Sequence, residues 1–289
     1  MLHLVYNPIA GRGRAPAALD RATAFLEARG VPYRVLTTEA PGHATALAAA
    51  LPGDAVVVAV GGDGTTHEVA KACIGNGRTL GLLPVGSGDD FAFALGMRRT
   101  DLPGALERLA TGATHLVDTG TINGEPFINA AGVGFDADVA RRVARAPAAL
   151  RGLAAYLWGV LDALRVLRST VVEVWVDDAL AYSGRSLLVS THLGPRTGGS
   201  FLFAPGAVND DGVFDVVVAA GLGRAGILGL LPKVMRGAHL GHPAVRLFHG
   251  QRVRLRWERS QPCHVEGEAA PDADRFELEM VPRSLRVIA

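Results

Sequence analysis

Lysine is almost absent from this chain of 289 residues, in which arginine supplies nearly all of the 29 basic side chains. The two lysines are Lys71, which follows Ala70, and Lys233, which follows Pro232. A P-loop requires a Gly-Lys-Ser/Thr sequence, because its lysine must reach the β- and γ-phosphates of the nucleotide. The sequence therefore excludes a nucleotide site of the P-loop type.

An excess of positive charge is also missing, since 28 acidic side chains leave a formal net charge of +1. Proteins that bind nucleic acid depend on many lysine and arginine contacts with phosphates. We therefore expect no nucleic acid among the partners of this protein.

Cysteines and long apolar runs are scarce as well. Cys73 and Cys263 are too few for a disulfide framework or a four-cysteine zinc site. The most apolar helical segments, 153–167 and 227–235, contain charges and are shorter than the roughly 20 residues that cross a bilayer. The chain begins with the strand-like segment Leu2–Tyr6 and shows no secretory signal. These features predict a cytoplasmic protein with reduced thiols.

Short apolar runs alternate with helical patterns over the first 118 residues. Continuous apolar strands separated by helices are typical of a parallel sheet that is covered on both faces. The predicted strands are Leu2–Tyr6, Tyr33–Thr37, Ala55–Val60 and Thr79–Pro84. The predicted helices are Ala15–Arg29, Ala44–Leu51, Thr66–Ile74, Phe91–Leu95 and Leu102–Leu109.

From about Val117 onward, strand-like runs recur with turn signals between them, which is typical of a β-sandwich. The predicted strands are Leu116–Ile122, Phe127–Ala131, Val171–Val176, Leu187–Thr191, Val213–Ala219, Val253–Trp257 and Phe276–Met280. The predicted helices lie near Phe135–Arg145, Leu150–Leu167 and Arg224–Leu240. We therefore predict an α/β domain at 1–118, completed by 282–289, and a β-sandwich domain at 119–281.

Two glycine-rich loops follow apolar strands of the first domain. Gly61–Thr65 and Val85–Asp90 each combine glycines with carboxylates and lead into a predicted helix. Loops at the carboxyl ends of adjacent parallel strands face one crevice, and helix N-termini there bind phosphates. Asp63 suits a magnesium ion better than a phosphate, which it would repel. If each loop is considered alone, a simpler interpretation is available: Gly61–Thr65 is a turn that ends a strand, and Val85–Asp90 is a helix N-cap.

A third loop, 7–14, follows the first strand and adds glycines with the guanidinium groups of Arg12 and Arg14, which suit phosphates. A weaker pattern at 132–137 fits the dinucleotide motif G-x-G-x-x-G/A. No acidic residue lies near the required position about 20 residues onward, so we reject a dinucleotide site there.

Further motifs follow in the second half of the chain. They are Asp-Thr-Gly at 118–120, Asn-Gly at 123–124, Phe-Ile-Asn at 127–129, Gly-Val-Gly at 132–134, the segment 204–215 and Glu-Gly-Glu at 266–268. Together with Asn-Pro and a later glycine at 7–11, Gly-Gly-Asp-Gly-Thr at 61–65 and Leu-Pro-Val-Gly-Ser-Gly-Asp-Asp-Phe at 83–91, the ordered set resembles the diacylglycerol kinase catalytic-domain family. The resemblance covers essentially the whole chain and is strongest to the soluble bacterial lipid kinases.

This resemblance implies a three-layer α/β nucleotide domain of the NAD kinase and diacylglycerol kinase type, followed by a β-sandwich that binds lipid. It also implies transfer of the γ-phosphate of Mg-ATP to a lipid hydroxyl, with diacylglycerol as the favoured acceptor. Glu268 would then be the general base that takes the hydroxyl proton. Without the resemblance, Glu268 is simply an exposed acid in a turn.

The resemblance also assigns ligands. The carboxylates that would organise catalytic magnesium through water are Asp63, Asp90 and Asp118. The implied ATP contacts are Asn7, Pro8, Ala10, Gly11, Arg12, Thr38, Gly61, Gly62, Asp63, Gly64, Thr65, Glu68, Gly86 and Ser87. The implied ligands of a structural magnesium are the carbonyl groups of Val208 and Val213 and the side chain of Asp211, an oxygen set that fits a hard cation.

Several positions depart from the family pattern. Asp89 and His67 stand where asparagine is usual, Glu266 replaces aspartate, and Ser87 replaces threonine but keeps the hydroxyl. These departures leave the acceptor open, with phosphatidylglycerol, a sphingoid base or another lipid alcohol as alternatives. Two other functions also stay open: an NAD kinase, which shares a Gly-Gly-Asp-Gly loop, and a non-catalytic protein that binds lipid or nucleotide.

We expect the protein to meet its lipid substrate by transient contact with the inner face of the cell membrane. The segment Leu150–Leu167 has an apolar face that either packs on a core or touches lipid. In the second case Arg151, Arg165 and Arg168 would meet anionic head groups, and Ile227–Met235 is an alternative contact. A homodimer is a further expectation.

Overall fold

The computed structural model describes residues 1–98, 101–147, 149–150 and 152–288. Contacts divide the chain into two compact units. Unit 1 comprises Met1–Thr119 together with Pro282–Ala289, and unit 2 comprises Gly120–Val281.

Strands and helices alternate in unit 1, whereas strands predominate in unit 2. The strands are β1 (Leu2–Tyr6), β2 (Tyr33–Thr37), β3 (Val56–Gly61), β4 (Thr79–Pro84), β5 (Thr114–Ile122), β6 (Glu125–Phe127), β7 (Ala130–Gly134), β8 (Thr170–Val176), β9 (Ala179–His192), β10 (Phe214–Ala220), β11 (Val245–Gly250), β12 (Arg252–Val265) and β13 (Glu268–Ile288). The helices are α1 (Ala15–Ala28), α2 (His43–Ala49), α3 (Asp63–Cys73), α4 (Asp90–Ala94), α5 (Leu102–Thr111), α6 (Phe135–Val143), α7 (Leu153–Arg165) and α8 (Arg224–Met235).

Unit 1 is built on a parallel sheet with the strand order β2–β1–β3–β4. The end of β13 returns to this sheet, where Arg286 and Val287 pair in parallel with Thr79 and Leu80 of β4. Every residue of β1 is buried, and β3 is buried except at its first residue. Strands that are covered on both faces need apolar side chains on both, which explains their continuous apolar sequences.

Helix α3 begins at Asp63, three residues before the start that the apolar pattern predicts. Glycine has a low helix propensity, so the Gly-rich segment 61–64 looks like a loop when it is considered alone. The carboxylate of Asp63 lies in the first turn, where it interacts favourably with the positive end of the helix dipole. The helix therefore extends to the carboxyl end of β3, with its N-terminus at the glycine loop.

Unit 2 is an antiparallel β-sandwich. Its strands run in the order β11–β10–β9–β7–β12–β13, and β8 pairs with both β9 and β12. The long strands β9 and β12 pair with β8 along one half and with β7 along the other. Strands that change partners in this way pass between the two layers of a sandwich. The core between the layers is fully apolar and includes Phe127, Val172, Phe214 and Leu278.

Two sequence-based predictions for unit 2 are wrong. The single strand expected at 127–131 is two strands, β6 and β7, because the backbone N–H groups of residues 128–130 donate to the carboxylate of Glu266 instead of to a neighbouring strand. Strand β11 lies where the sequence predicts no strand, because Arg246 and His249 interrupt its apolar run and only its first and last residues are buried.

The apolar side chains of 150–167, which we expect on one face, lie on two sides of helix α7. Helix α7 buries Val160 and Leu164 on one side, whereas Leu153, Leu157 and Leu161 are 39%, 37% and 55% exposed on the other. Arg151, which we expect near lipid, lies outside the described residues. Within the described ranges, every helix is too short or too polar to span a bilayer.

Replacing Phe214 with alanine should destabilise unit 2. Phe214 is fully buried and stacks on Phe127, with ring centroids 5.6 Å apart. Deleting a buried phenyl ring typically costs about 3–5 kcal/mol. Urea denaturation followed by tryptophan fluorescence measures this loss selectively, because all three tryptophans belong to unit 2. As a control, Leu180→Ala at a side chain that is 56% exposed should change the free energy of unfolding much less; similar losses in both variants would contradict the packing described.

Candidate active site

The two glycine-rich loops of unit 1 lie in direct contact. A side chain at Gly86 would place its Cβ 2.6 Å from the Cα of Gly62, so the close approach requires a glycine at position 86. The first loop ends β3 and the second follows β4, and these two strands are neighbours in the sheet. The structure therefore confirms the prediction that the two loops meet at one edge of the sheet.

Asp63 holds these loops together through both of its carboxylate oxygens. Oδ2 accepts the backbone N–H of Asp89 at 2.8 Å, and Oδ1 accepts that of Asp90 at 2.6 Å. Burial, and secondarily the charge of Asp90, raises the pKa of Asp63 to about 6. Two carboxylates held this close favour a bound cation, and oxygen ligands suit magnesium. The site therefore fits the predicted metal at Asp63 and Asp90.

Asp89 stands at the turn between the glycine loop and α4. Its backbone is left-handed, with φ of +52°, a conformation that asparagine and aspartate tolerate better than most residues. Its Oδ1 accepts the N–H of Gly86 at 2.9 Å. An asparagine oxygen would accept the same hydrogen bond, so this departure from the family pattern preserves the local geometry. Ser87, between these residues, is exposed.

The loop after β1 packs against both glycine loops. Nδ2 of Asn7 donates to Oγ1 of Thr65 at 3.0 Å. Gly11 has φ of +61°, and a Cβ there would lie 2.2 Å from the carbonyl oxygen of Val85. Pro8 and Ala10 belong to the same loop. The three predicted nucleotide-binding loops therefore contact one another in unit 1.

The guanidinium of Arg14 has a different role from the one that the sequence suggests. Its Nη2 donates to the carbonyl oxygens of Val85 and Gly86 at 3.0 and 2.7 Å, and its Nε donates to that of Gly11 at 3.0 Å. Arg14 therefore clamps the loop after β1 to the loop after β4, and these donors are used on backbone oxygens. Arg12 is exposed and has φ of +57°.

Glu68 also serves the backbone. Its carboxylate accepts the N–H groups of Gly42 and Ala44 at 2.8 and 3.0 Å, which satisfies the free donors at the start of α2. Thr38 begins the same connection, and its N–H donates to the carbonyl of Tyr6 at 2.8 Å. Glu68 thus positions the Thr38–Gly42 segment beside the nucleotide loops. Sequence reasoning could not distinguish this structural role from ligand binding.

Asp118 lies fully buried on β5, where its Oδ1 accepts the N–H of Arg283 at 2.7 Å. This hydrogen bond joins β5 to the C-terminal segment of unit 1. His67, on α3, is also buried.

In unit 2, Glu268 begins β13 directly after a tight turn formed by Glu266 and Gly267, which have φ of +54° and +81°. Oε1 of Glu266 accepts the N–H groups of Ile128 and Asn129 at 2.8 and 2.7 Å. Nδ1 of His264 accepts the N–H of Gly267 at 3.2 Å. The turn is therefore anchored at both ends, while Glu268 itself is exposed on unit 2. The anchoring role of Glu266 was not apparent from the sequence.

The loop 208–213 in unit 2 carries the ligands expected for a structural magnesium. Asp211 is exposed, and its Oδ1 accepts the N–H of Val213 at 3.1 Å. Burial, together with the nearby charge of Asp211, raises the pKa of Asp215, an effect that His249 opposes. The carboxylate of Asp211 is an oxygen ligand of the kind that a hard cation prefers. Among the described residues, no three histidine, cysteine or acidic side chains gather into a metal site.

Comparison with known proteins identifies the family. Residues 1–122 match the diacylglycerol kinase catalytic domain, and residues 129–289 match the YegS C-terminal NAD kinase beta sandwich-like domain. Over 269 residues the chain is 31% identical to a diacylglycerol kinase from Bacillus subtilis (strain 168), a match that covers 92% of this chain and 88% of the relative. This chain belongs to the diacylglycerol kinase family.

Other relatives agree with this assignment. A diacylglycerol kinase from Staphylococcus epidermidis (strain ATCC 12228 / FDA PCI 1200) is 29% identical, over 92% of this chain and 84% of the relative. A solved diacylglycerol kinase from Bacillus anthracis str. Sterne matches with a TM-score of 0.76 at 20% identity, over 99% of this chain and 96% of that one. An NAD kinase from Archaeoglobus fulgidus in complex with ATP reaches 0.53 at 11% identity, over 100% and 94%.

At such low identities the solved structures establish the fold. They confirm the predicted combination of an α/β domain and a C-terminal β-sandwich. Family membership makes this chain a kinase that acts on an alcohol acceptor.

Replacing Gly11 with alanine should destabilise unit 1 more than the same change at Gly13. Both glycines have positive φ, for which alanine costs about 1–2 kcal/mol. A Cβ at Gly11 would also collide with the Val85 carbonyl, whereas a Cβ at Gly13 meets no atom within 4 Å. We expect Gly11→Ala to cost about 1–3 kcal/mol more than Gly13→Ala by calorimetry. Equal costs would contradict the close packing of the two loops.

In EDTA, the free energy of unfolding should decrease as the pH rises from about 4 to about 6, because Asp63 loses its proton in this range. Its folded pKa is about 6, whereas an unfolded aspartate titrates near 4, so the folded state binds more protons in this window. Stability therefore decreases as the pH rises through it. The free energy of unfolding, measured by denaturation at each pH, should decrease more in the natural chain than in Asp63→Asn over this range. Above pH 7 the plots of this free energy against pH should run parallel for the two proteins. Parallel curves throughout would show that Asp63 is ionised at pH 4.

Proposed function

We propose that this protein transfers the γ-phosphate of Mg-ATP to the hydroxyl group of a lipid. The observation that carries the proposal is the convergence of three glycine loops on Asp63 and Asp90 at the N-terminus of α3, in a chain of the diacylglycerol kinase family. Relatives are named diacylglycerol kinase, so diacylglycerol is the first acceptor to test.

The nucleotide would bind in unit 1. The positive end of the α3 dipole at the glycine loop suits the phosphates, and the exposed guanidinium of Arg12 adds positive charge. Asp63 and Asp90 would hold magnesium. Asp118, expected as a third carboxylate, does not gather with them into a three-carboxylate site among the described residues. When it is bound, this ion supplies charge neutralisation at the transferred phosphate.

The lipid would bind in unit 2, where a cavity lies between α6, α7, α8 and the strands β9 and β10. Its volume is about 70 Å³, and it is partly open to solvent. Its walls are mostly leucine, valine, isoleucine and phenylalanine. Apolar walls of this kind favour an acyl chain over a nucleotide such as NAD, which supports a lipid kinase over an NAD kinase.

Glu268 would act as the general base. An exposed carboxylate on a rigidly anchored turn can take the proton of a lipid hydroxyl. The hydroxyl oxygen then forms a bond to the γ-phosphorus as the bond between that phosphorus and the bridging oxygen breaks. The products are the phosphorylated lipid and ADP, and the proton stays on Glu268.

Contact with a membrane surface is part of this proposal. The exposed side chains of Leu153, Leu157 and Leu161 form one apolar stripe on α7, and the Arg165 side chain at its end is 77% exposed. Apolar side chains next to arginine suit an interface with anionic lipid. The expected homodimer stays a prediction.

Glu268→Gln should reduce phosphate transfer at least about 100-fold, the usual contribution of a general base. Transfer of labelled γ-phosphate is measured with diacylglycerol, phosphatidylglycerol, ceramide, sphingosine and NAD as acceptors. ATP affinity and thermal stability should not change, because the side chain is exposed. As a matched control, Glu277→Gln changes an exposed acid farther along β13 and should retain full transfer.

Each outcome of this assay is decisive. Full turnover in Glu268→Gln would remove Glu268 as the base. Labelled NADP alone would establish an NAD kinase instead, and ATP binding without any labelled product would favour a non-catalytic binding protein.

A further inference from the structure

A polar groove of about 760 Å³, partly open to solvent, lies on unit 2 next to the apolar cavity. It is found where α7 leads into β8, beside the start of α6 and the middle of β12. Its wall contains four arginines, which are Arg141, Arg168, Arg185 and Arg259. The last three are exposed, so their guanidinium groups are accessible to a molecule in the groove.

Three neighbouring strands bring these exposed arginines to the same place. Strand β8 lies between β9 and β12 and pairs with both. Arg185 on β9 and Trp257 on β12 pair with adjacent residues of β8. Arg168 lies just before β8, and Arg259 lies just beyond Trp257. Because paired strands are about 4.8 Å apart, the three arginines lie close together at one end of β8.

The carboxylates of the groove do not neutralise these three charges. Asp272 pairs with Arg141. Asp138 pairs with Arg142, which is not part of the groove. Glu258 accepts a hydrogen bond at 3.1 Å from the hydroxyl of the first residue of β8. Among the described residues, none of the three exposed arginines forms an ion pair, and like charges held close together favour a bound anion.

Arg185 is already held in position for a ligand. Its Nη2 donates to the carbonyl oxygen of Ser169 at 2.6 Å, and its Nε donates to the hydroxyl of the same residue at 3.2 Å. Both partners are uncharged, so the positive charge of Arg185 is not cancelled. Its Nη1 makes no hydrogen bond within the described part of the chain. A guanidinium fixed in this way loses less conformational freedom when it binds a ligand.

We propose that this groove is a second phosphate-binding site, in which Arg168, Arg185 and Arg259 bind the phosphate group of a lipid headgroup or of a soluble phosphate ester. A phosphate monoester offers three acceptor oxygens and up to two negative charges, whereas a carboxylate offers two oxygens and one charge. Three guanidinium groups at one place therefore match a phosphate better than a carboxylate. The inference does not depend on the proposed function, because these arginines take no part in phosphate transfer.

One apolar side chain favours a lipid as the source of the phosphate. Val166 is 55% exposed at the edge of the groove, directly after α7 and its stripe of exposed leucines. Apolar side chains beside arginines suit the boundary between acyl chains and anionic head groups.

Vesicles and a soluble ester test the two sources of phosphate without any turnover. Phosphatidylcholine vesicles contain an equal fraction of either phosphatidic acid or oleic acid, so their negative charge is carried by phosphate or by carboxylate. Cosedimentation measures the affinity for each vesicle, and titration calorimetry measures the affinity for glycerol 3-phosphate.

The test variants are Arg168→Gln and Arg259→Gln, measured separately. Neither side chain has a hydrogen bond or an ion pair within the described ranges, so both variants should keep the thermal stability of the natural chain. The matched control is Arg275→Gln, which removes the same charge from an exposed position on β13 outside the groove.

The natural chain and Arg275→Gln should bind the phosphatidic acid vesicles about tenfold more tightly than the oleic acid vesicles. In each test variant this preference should fall below about threefold, because one arginine–phosphate contact is lost. Loss of the vesicle preference in the test variants identifies a lipid headgroup as the ligand. Loss of glycerol 3-phosphate binding identifies a soluble ester, and either loss supports the site.

A natural chain that shows neither the vesicle preference nor binding of glycerol 3-phosphate would overturn the proposal. Test variants that behave like Arg275→Gln would also overturn it, because any effect would then come from the total charge of the protein. The proposed lipid kinase would stand in both cases, since it depends on the loops of unit 1 and on Glu268.

Discussion

The carboxylate of Asp63 is the constraint on which the arrangement of unit 1 depends. By accepting the backbone N–H groups of Asp89 and Asp90, it joins the loop after β3 to the loop after β4 at the start of α3. Burial of Asp63, and secondarily the charge of Asp90 beside it, raises the pKa of Asp63. The loops can meet only because Gly62 and Gly86 leave room for the backbone. The protein therefore concentrates negative charge where a cation would relieve it.

Unit 2 uses buried acceptors in two contrasting ways. Glu266 accepts backbone N–H groups of residues 128–130, so its charge is satisfied and the turn before Glu268 is held rigid. Oδ2 of Asp136 and Nδ1 of His239 are also buried, but they have no hydrogen-bond partner among the residues that the structure describes. Satisfied buried groups stabilise a structure, whereas unsatisfied ones cost free energy unless a ligand completes them.

Two departures from the family pattern, Asp89 and Glu266, preserve the hydrogen bonds that position the site. Asp89 retains the acceptor oxygen that asparagine would provide, and it bonds to Gly86 within the same turn. Glu266, with one more methylene than aspartate, still reaches the N–H groups of Ile128 and Asn129. Neither change removes a hydrogen bond that positions the site. The acceptor lipid is therefore better sought in the walls of the cavity than at these two positions.

The sequence by itself determined the parallel strands of unit 1, the glycine loops and the family, because these depend on local apolar patterns and on motifs of adjacent residues. Only the tertiary structure showed that α3 begins at Asp63, that Arg14 and Glu68 bind backbone groups, and that Glu266 interrupts a strand. The physical reason is the same for each: the hydrogen-bond partner that decides the role lies far away in the sequence. Before folding, a carboxylate that caps a helix and one that binds a ligand look alike.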